Sequence, residues 1–182
     1  MGVDGEIEWF SPDPRAIIPL DAFHVPRTLR QKWRQGVFEI RVNTVFDEVM
    51  RACADRPEGT WITEEIFKSY YRLHQLDFAH SVEAWNDGEL AGGLYGVSIG
   101  GAFFGESMFH RATDASKIAL VALVERLRER GFTLLDTQFR TEHLDRFGTL
   151  EISRDEYLMR LSEAIQLSRS FADVAKEKRP RR

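Results

Sequence analysis

The stretch from residue 102 to residue 139 constrains this chain more than any other. It reads "AFFGESMF", then "TDASKIALVALVERLRERG", then "FTLLDTQF". That is a short apolar run, a long helical run stopped by Gly131, and a second short apolar run. Two strands joined through a helix cannot form a hairpin, so the crossover brings 133–139 back parallel to 102–109. The second strand carries a problem, because Asp136 and Gln138 interrupt its apolar run. Residues two apart in a strand share a face, so these two project side by side while Leu135, Thr137 and Phe139 face away. If that face is buried, each polar group needs a partner, since leaving one unpaired costs about 1–3 kcal/mol. Two readings are open on the hexapeptide alone. Either this is an edge strand with one wet face, or the pair lies at the floor of a cleft.

The flanking segments yield to the same reading. "VFEIRVN" (37–43) alternates as a half-buried strand does. Val45, Phe46, Val49, Met50 and Cys53 fall on one helical face. Thr63 can cap a second helix, with Glu64 and Glu65 suited to its positive end, running to about Asp77. "AHSVEAW" and "LAGGLYGVSI" flank Asp87-Gly88, a strong hairpin signal, and a second turn falls at Gly100-Gly101. Asp114 is placed to cap the crossover helix. Ser153 and Glu156 fit a capping box for a last helix whose apolar face includes Leu158, Leu161 and Ile165. Residues 1–36 hold four of the six prolines and are expected to form an irregular leader. The expected organisation is a leader over 1–36, one α+β domain over 37–170, and a basic tail over 171–182 that ends "KEKRPRR". That tail reads either as a frayed solvated end or as an electrostatic hook for nucleic acid.

Composition excludes several classes. A chain of 182 residues with ordinary apolar content is long enough for a sizeable core and is not disordered. The single cysteine, Cys53, excludes an intramolecular disulfide and a cysteine-cluster metal site. "MGVDGEIEW" has neither the basic start nor the apolar run of a signal peptide, and no stretch approaches a membrane span. A soluble, cytoplasmic protein is expected. The net charge of −4 names no partner.

The order of elements is strand, two helices, three antiparallel strands, helix, parallel strand, helix. It is similar to the N-acetyltransferase-like (GNAT) acyltransferase fold, a mixed sheet with flanking helices. In that fold the two parallel strands splay apart and the acyl donor lies in the gap. The likeness implies that Asp136 and Gln138 sit near that gap, opposite Glu106. One family feature is missing. Coenzyme A-dependent members cradle a pyrophosphate on a glycine-rich turn, and here that position reads "MFHRATDASK". A diphosphate cradle is not expected.

Six segments in order, "WFSPDPRAI", "GTWIT", "AHSVEAW", "GGLYGV", "FGESMFHRATDASKIAL" and "LLDTQFRTEHLDRFGTLEISRDEYL", resemble the leucyl/phenylalanyl-tRNA–protein transferases. The resemblance covers most of residues 9–158. It implies transfer of leucine, phenylalanine or methionine from aminoacyl-tRNA to proteins that begin with Arg or Lys, which tags them for degradation by the N-end rule. An aminoacyl ester is already activated, so no cofactor, ATP or metal is expected. The chemistry needs a neutral α-amino group, whose ordinary pKa is about 8, held against the ester carbonyl. Positioning of this kind contributes about 7–11 kcal/mol in ideal cases.

The resemblance also assigns residues. Asp136 and Gln138 would accept hydrogen bonds from the attacking amine, with the substrates as their missing partners. Glu106 would share the pocket and bind basic groups electrostatically. Leu94, Met108, Leu120, Leu127 and Leu135 would form an apolar slot for the donor side chain, or ordinary core. Trp61 and Phe10 would stack on the terminal adenosine of the tRNA, or pack as ordinary aromatics. Arg27, Arg30, Lys32 and Arg34, in "HVPRTLRQKWR", would meet tRNA phosphates or form a solvated charged face.

Some features depart from the family pattern. Eight residues precede Trp9, where the family has a small domain. Phe10 replaces a second Trp, and Phe104 a common Cys. These departures leave open a same-fold transferase with another donor or acceptor, such as acidic N-termini. A non-catalytic module that binds tRNA or protein N-termini also stays open. Other constellations do not fit a site. His74 and His80 are poorly spaced for a metal pair, His143 suits a loop-fixing role, and Ser107 near His110 lacks a third partner.

Overall fold

The computed structural model of the protein describes residues 10–173, and before them the backbone of two short paired strands, β1 (Gly2–Val3) and β2 (Glu6–Ile7). Chain order continues with β3 (Arg15–Ile17), α1 (Arg27–Gln35), β4 (Glu39–Val42), α2 (Phe46–Ala54) and α3 (Glu64–Gln75). Then come β5 (Ala79–Asn86), β6 (Glu89–Ile99), β7 (Ala102–His110), α4 (Ala115–Glu129) and β8 (Leu134–Gln138). Last are α5 (Glu142–Asp145), β9 (Leu150–Ile152) and α6 (Arg154–Ile165). Seven strands form one mixed sheet in the order β4-β5-β6-β7-β8-β3-β9. All neighbours are antiparallel except β7 and β8, which run parallel with Ala102 opposite Leu134 and Phe104 opposite Asp136. The expected crossover is therefore present. The expected hairpin turn is present too, with Asp87 at φ 50° and Gly88 at φ 81°, the left-handed pair a two-residue turn requires.

Alternation along the strands divides the core between the two faces. Leu94, Phe103 and Leu135 pack with α4, while their neighbours Tyr95, Ala102 and Leu134 face the other way. That second face carries α2 and α3 at one end and α6 at the other. Gly92 allows α4 to approach closely, since a Cβ there would lie 2.6 Å from that of Ala115. The caps expected at Thr63 and Ser153 are present, each side chain accepting from the backbone N–H three residues on.

Four sequence expectations are corrected. The irregular leader expected over 1–36 instead supplies, from residue 10 onward, a strand and a helix: β3 inserts between β8 and β9, and α1 packs Leu29 and Trp33 into the core. Only three residues of strand fit between Pro14 and Pro19, too few to show a period. The proposed tail region also contributes structure as far as Asp173, because Phe171 is buried against His80 and Phe103. The basic end, "KEKRPRR", lies outside the described residues. On α6 the inward face is Tyr157, Leu161 and Ala164, and Leu158 and Ile165 are exposed. Asp114 does not cap α4 through its side chain; it sits at φ 72° and binds Lys32 and Lys117.

A buried polar network fixes the connection from β4 to α2. The Glu83 carboxylate, fully buried on β5, accepts from Thr44 N (2.9 Å), Val45 N (3.0 Å), Ser81 Oγ (2.8 Å), Trp85 Nε1 (3.2 Å) and the Thr44 hydroxyl. Asn43, at φ 58°, donates from Nδ2 to His80 Nδ1. The Nε2–H of His80 is thereby left to donate to Ser98 Oγ at 3.1 Å. Burial is the main cause that holds His80 down at about 4. The imidazole is neutral in both states above pH 6.5. Below that, the unfolded chain takes up a proton that the folded chain refuses. Stability falls as pH drops from 6.5 towards 4, with a ceiling of roughly 3 kcal/mol. Urea midpoints at pH 7 and pH 5 should show this slope, and His80→Gln should flatten it. An unchanged slope in that variant would assign the effect elsewhere.

Candidate active site

The parallel pairing of β7 and β8 ends at Phe104 and Asp136. Beyond it β7 continues to His110, paired only with β6, while β8 stops at Gln138. The strands part there, and Glu106 and Gln138 face each other across the opening with Gln138 Nε2 3.4 Å from Glu106 Oε2. Gln138 ends the strand in the left-handed region at φ 64°. The three residues expected to act together are thus brought together.

Their partners differ from the expectation. Asp136 is fully buried and its oxygens are occupied from within the chain. Arg15 grips it with Nε to Oδ1 at 3.1 Å and Nη2 to Oδ2 at 2.6 Å. Tyr157 OH donates to Oδ2 at 2.7 Å, and Gln138 N to Oδ1 at 2.8 Å. The substrates are not needed to complete Asp136. Arg15 reaches it because Ile17 on β3 lies opposite Asp136, and residues two apart share a face. Arg15 also lies over the Tyr157 ring, 4.8 Å from its centroid. The "SPDPR" segment is tied to the start of α6 by Arg154, whose N–H donates to Asp13 Oδ1 and whose guanidinium donates to Ser11 O. Burial alone would lower the Arg15 guanidinium, but its bonds and charge contact with Asp136 raise it.

Glu106 has a different environment. Burial raises its carboxyl above the usual range, and the nearby Asp136 charge adds to this. Bonds from Tyr70 and Gln138 and the Arg15 charge work in the opposite direction. Below it lies a polar layer on the α2–α3 face. Tyr95 is fully buried, its hydroxyl without a partner, edge-on to Tyr70. Arg56 donates to Ser107 Oγ at 3.1 Å and to Met108 O at 3.1 Å. Cys53 is no nucleophile, since burial pushes its thiol up to about 12.

The remaining candidates fall on three surfaces. Leu94, Met108, Leu120, Leu127 and Leu135 belong to one cluster under α4, and Met108 is its half-buried member. Trp61 packs half-buried against the α2–α3 core, whereas Phe10 is 49 % exposed. On α1, Arg27, Arg30 and Arg34 line a shallow depression with Gln31 and Gln35. Lys32 departs from that face: Leu29 and Trp33 turn its side of the helix toward the core, and it is held in an ion pair to Asp114 at 2.6 Å. His74 Nδ1 lies 2.8 Å from Ala79 O, and His80 is engaged as above. Among the described residues no group of three or more His, Cys, Asp or Glu side chains could hold a metal ion, and no helix is long and apolar enough to cross a membrane.

Sequence reading missed Arg15, Tyr157, Tyr70 and Tyr95. Arg15 stands in a quoted motif, and the need of a buried Asp136 for a cation was the available signal. Nothing local pointed to the tyrosines.

A family profile described as leucyl/phenylalanyl-tRNA protein transferase matches residues 17–162. A leucyl/phenylalanyl-tRNA–protein transferase of Rubrobacter xylanophilus is 55% identical over 172 residues, covering 94% of this chain and 90% of the relative. One of Herpetosiphon aurantiacus is 58% identical over 172 residues with the same two shares, 94% and 90%. A crystal structure of a functionally unknown conserved protein from Staphylococcus epidermidis shares the fold at TM-score 0.51 and 15% identity. That likeness covers 76% of this chain and 56% of the other.

Proposed function

The chain belongs to the leucyl/phenylalanyl-tRNA–protein transferase family, and from that premise we propose that it transfers leucine, phenylalanine or methionine from aminoacyl-tRNA to the N-terminal Arg or Lys of acceptor proteins in the cytoplasm. One observation carries the reading: the opening between β7 and β8, with Glu106 and Gln138 facing across it at 3.4 Å. The parting of the parallel strands, together with the element order, also supports an N-acetyltransferase-like fold in which this opening receives the acyl donor.

The reaction follows from these groups. Glu106, buried among few donors, favours a cation and draws in a basic group of the substrates. The acceptor α-ammonium gives one proton to solvent; the neutral nitrogen then attacks the ester carbonyl and, on becoming an amide, gives up a second, which is the one that passes to the ribose oxygen. A C–N bond forms, the C–O bond to ribose breaks, and the ribose oxygen takes up a proton as it leaves. Gln138, held by Glu106 through Nε2, keeps Oε1 for the attacking amine. The donor side chain would enter the leucine-rich cluster from its Met108 edge. Phe10 offers an exposed ring for stacking on adenine, and Trp61 a half-buried one.

Mixing the protein with leucyl-, phenylalanyl- or methionyl-tRNA and Arg- or Lys-started peptides tests this. A peptide mass gain of one residue is expected. Binding of both substrates without mass gain would reduce the protein to a binding module. The α1 face gives a second prediction. Replacing Arg27, Arg30 and Arg34 by Ala should weaken binding of charged tRNA and lower the salt slope by about 1 for each phosphate no longer neutralised. An unchanged slope would show that the tRNA lies elsewhere.

A further inference from the structure

We propose that Arg15 and Tyr157 are positioning residues, and that Asp136 serves transfer as the hub of their clamp and not as an acceptor of the amine's proton. This inference rests on the transferase reading and deepens it. A carboxylate offers about four acceptor sites. Those of Asp136 are filled by Arg15 Nε (3.1 Å) and Gln138 N (2.8 Å) on Oδ1, and by Arg15 Nη2 (2.6 Å) and Tyr157 OH (2.7 Å) on Oδ2. The group has no exposed surface. An incoming amine finds no free lone pair on it, and displacing Arg15 would leave a part-buried cation unpaired.

What Asp136 does control is the next polar residue. Its bond to Gln138 N closes a turn from one residue to the second beyond, with Gln138 at φ 64°. A residue with a Cβ is costly in that region, by about 1–2 kcal/mol, and persists only where its surroundings fix it. The turn ends the strand and aims the carboxamide across the opening at Glu106. The clamp thus converts contacts with β3 and α6 into the orientation of one amide. Arg15 has a second effect, because its charge counters the burial that raises the Glu106 carboxyl.

Three variants test this: Tyr157→Phe, Arg15→Lys and Arg15→Gln. Steady-state transfer to an Arg-started peptide from phenylalanyl-tRNA is measured at temperatures where each variant is folded by circular dichroism. A misaimed amide should lower kcat by about tenfold in Tyr157→Phe and about a hundredfold in Arg15→Gln, with both KM values within about twofold. Arg15→Lys keeps the charge without the two-pronged grip, so kcat should fall while the pH profile stays in place. In Arg15→Gln the acidic limb of the profile should move to higher pH as Glu106 loses its nearby cation. If Arg15→Gln does not fold, Tyr157→Phe and Arg15→Lys decide. Folded Tyr157→Phe and Arg15→Lys enzymes with wild-type kcat, or variants altered only in stability, would overturn the inference while leaving the function intact. A wild-type protein that transfers nothing would overturn both.

Discussion

Asp136→Asn is expected to cost the protein both transfer and stability. The substitution keeps shape and removes charge, so one oxygen becomes an amide nitrogen that points donors at donors. Either Arg15 or Tyr157 then loses its acceptor, and the Arg15 cation is left poorly compensated in a part-buried position. Breaking a buried pair from one side costs about 3–5 kcal/mol. The Gln138 turn loosens with it, and a misplacement of about 1 Å at a reacting group costs about a hundredfold in rate. Single-turnover transfer from phenylalanyl-tRNA, measured beside a urea titration, separates the two losses. A variant that transfers within a few-fold of wild type would remove Asp136 from the mechanism, as catalyst and as hub alike.

Glu83→Ala should be nearly as damaging to the fold, without touching the opening. It takes away one acceptor that serves Thr44, Val45, Ser81 and Trp85 together. Two backbone N–H groups at the entry to α2 and three side chains, those of Thr44, Ser81 and Trp85, lose their partner, and the removed carboxylate leaves a void in a fully buried position. Lost hydrogen bonds and cavity together amount to about 3–5 kcal/mol. Glu83→Gln should lose about 1–3 kcal/mol, because its amide nitrogen confronts donors. Urea midpoints at pH 7 measure both. A loss below about 1 kcal/mol for the alanine variant would mean that water replaces the carboxylate.

Where the chain's own local chemistry decides an element, the sequence could be read. The Asp87-Gly88 turn and the caps at Thr63 and Ser153 depend on residues a few positions apart, and the crossover on the order of three consecutive elements. The placement of Asp136, Gln138 and Glu106 at one opening followed from the crossover and the family resemblance. What was not legible depends on distant partners. Strand β3 is three residues set among prolines, and no period can show in so short a run. Arg15 meets Asp136 across 121 positions. The buried face of α6 is not legible because Leu158 and Ile165 are apolar yet exposed, while Tyr157 turns inward with the Asp136 carboxylate to satisfy. Lys32 looked like its arginine neighbours, and only the position of Asp114 sets it apart.

Strand β3 has a consequence for how the molecule is born. It is made early, but it joins the sheet only between two strands made near the end. Contacts of such long range form slowly, because closing so large a loop must precede any gain from it. On the ribosome, the early strand must wait with its edge unpaired until residues beyond Ile152 have emerged. Catalytic competence should therefore arrive late in synthesis, well after the crossover core has condensed.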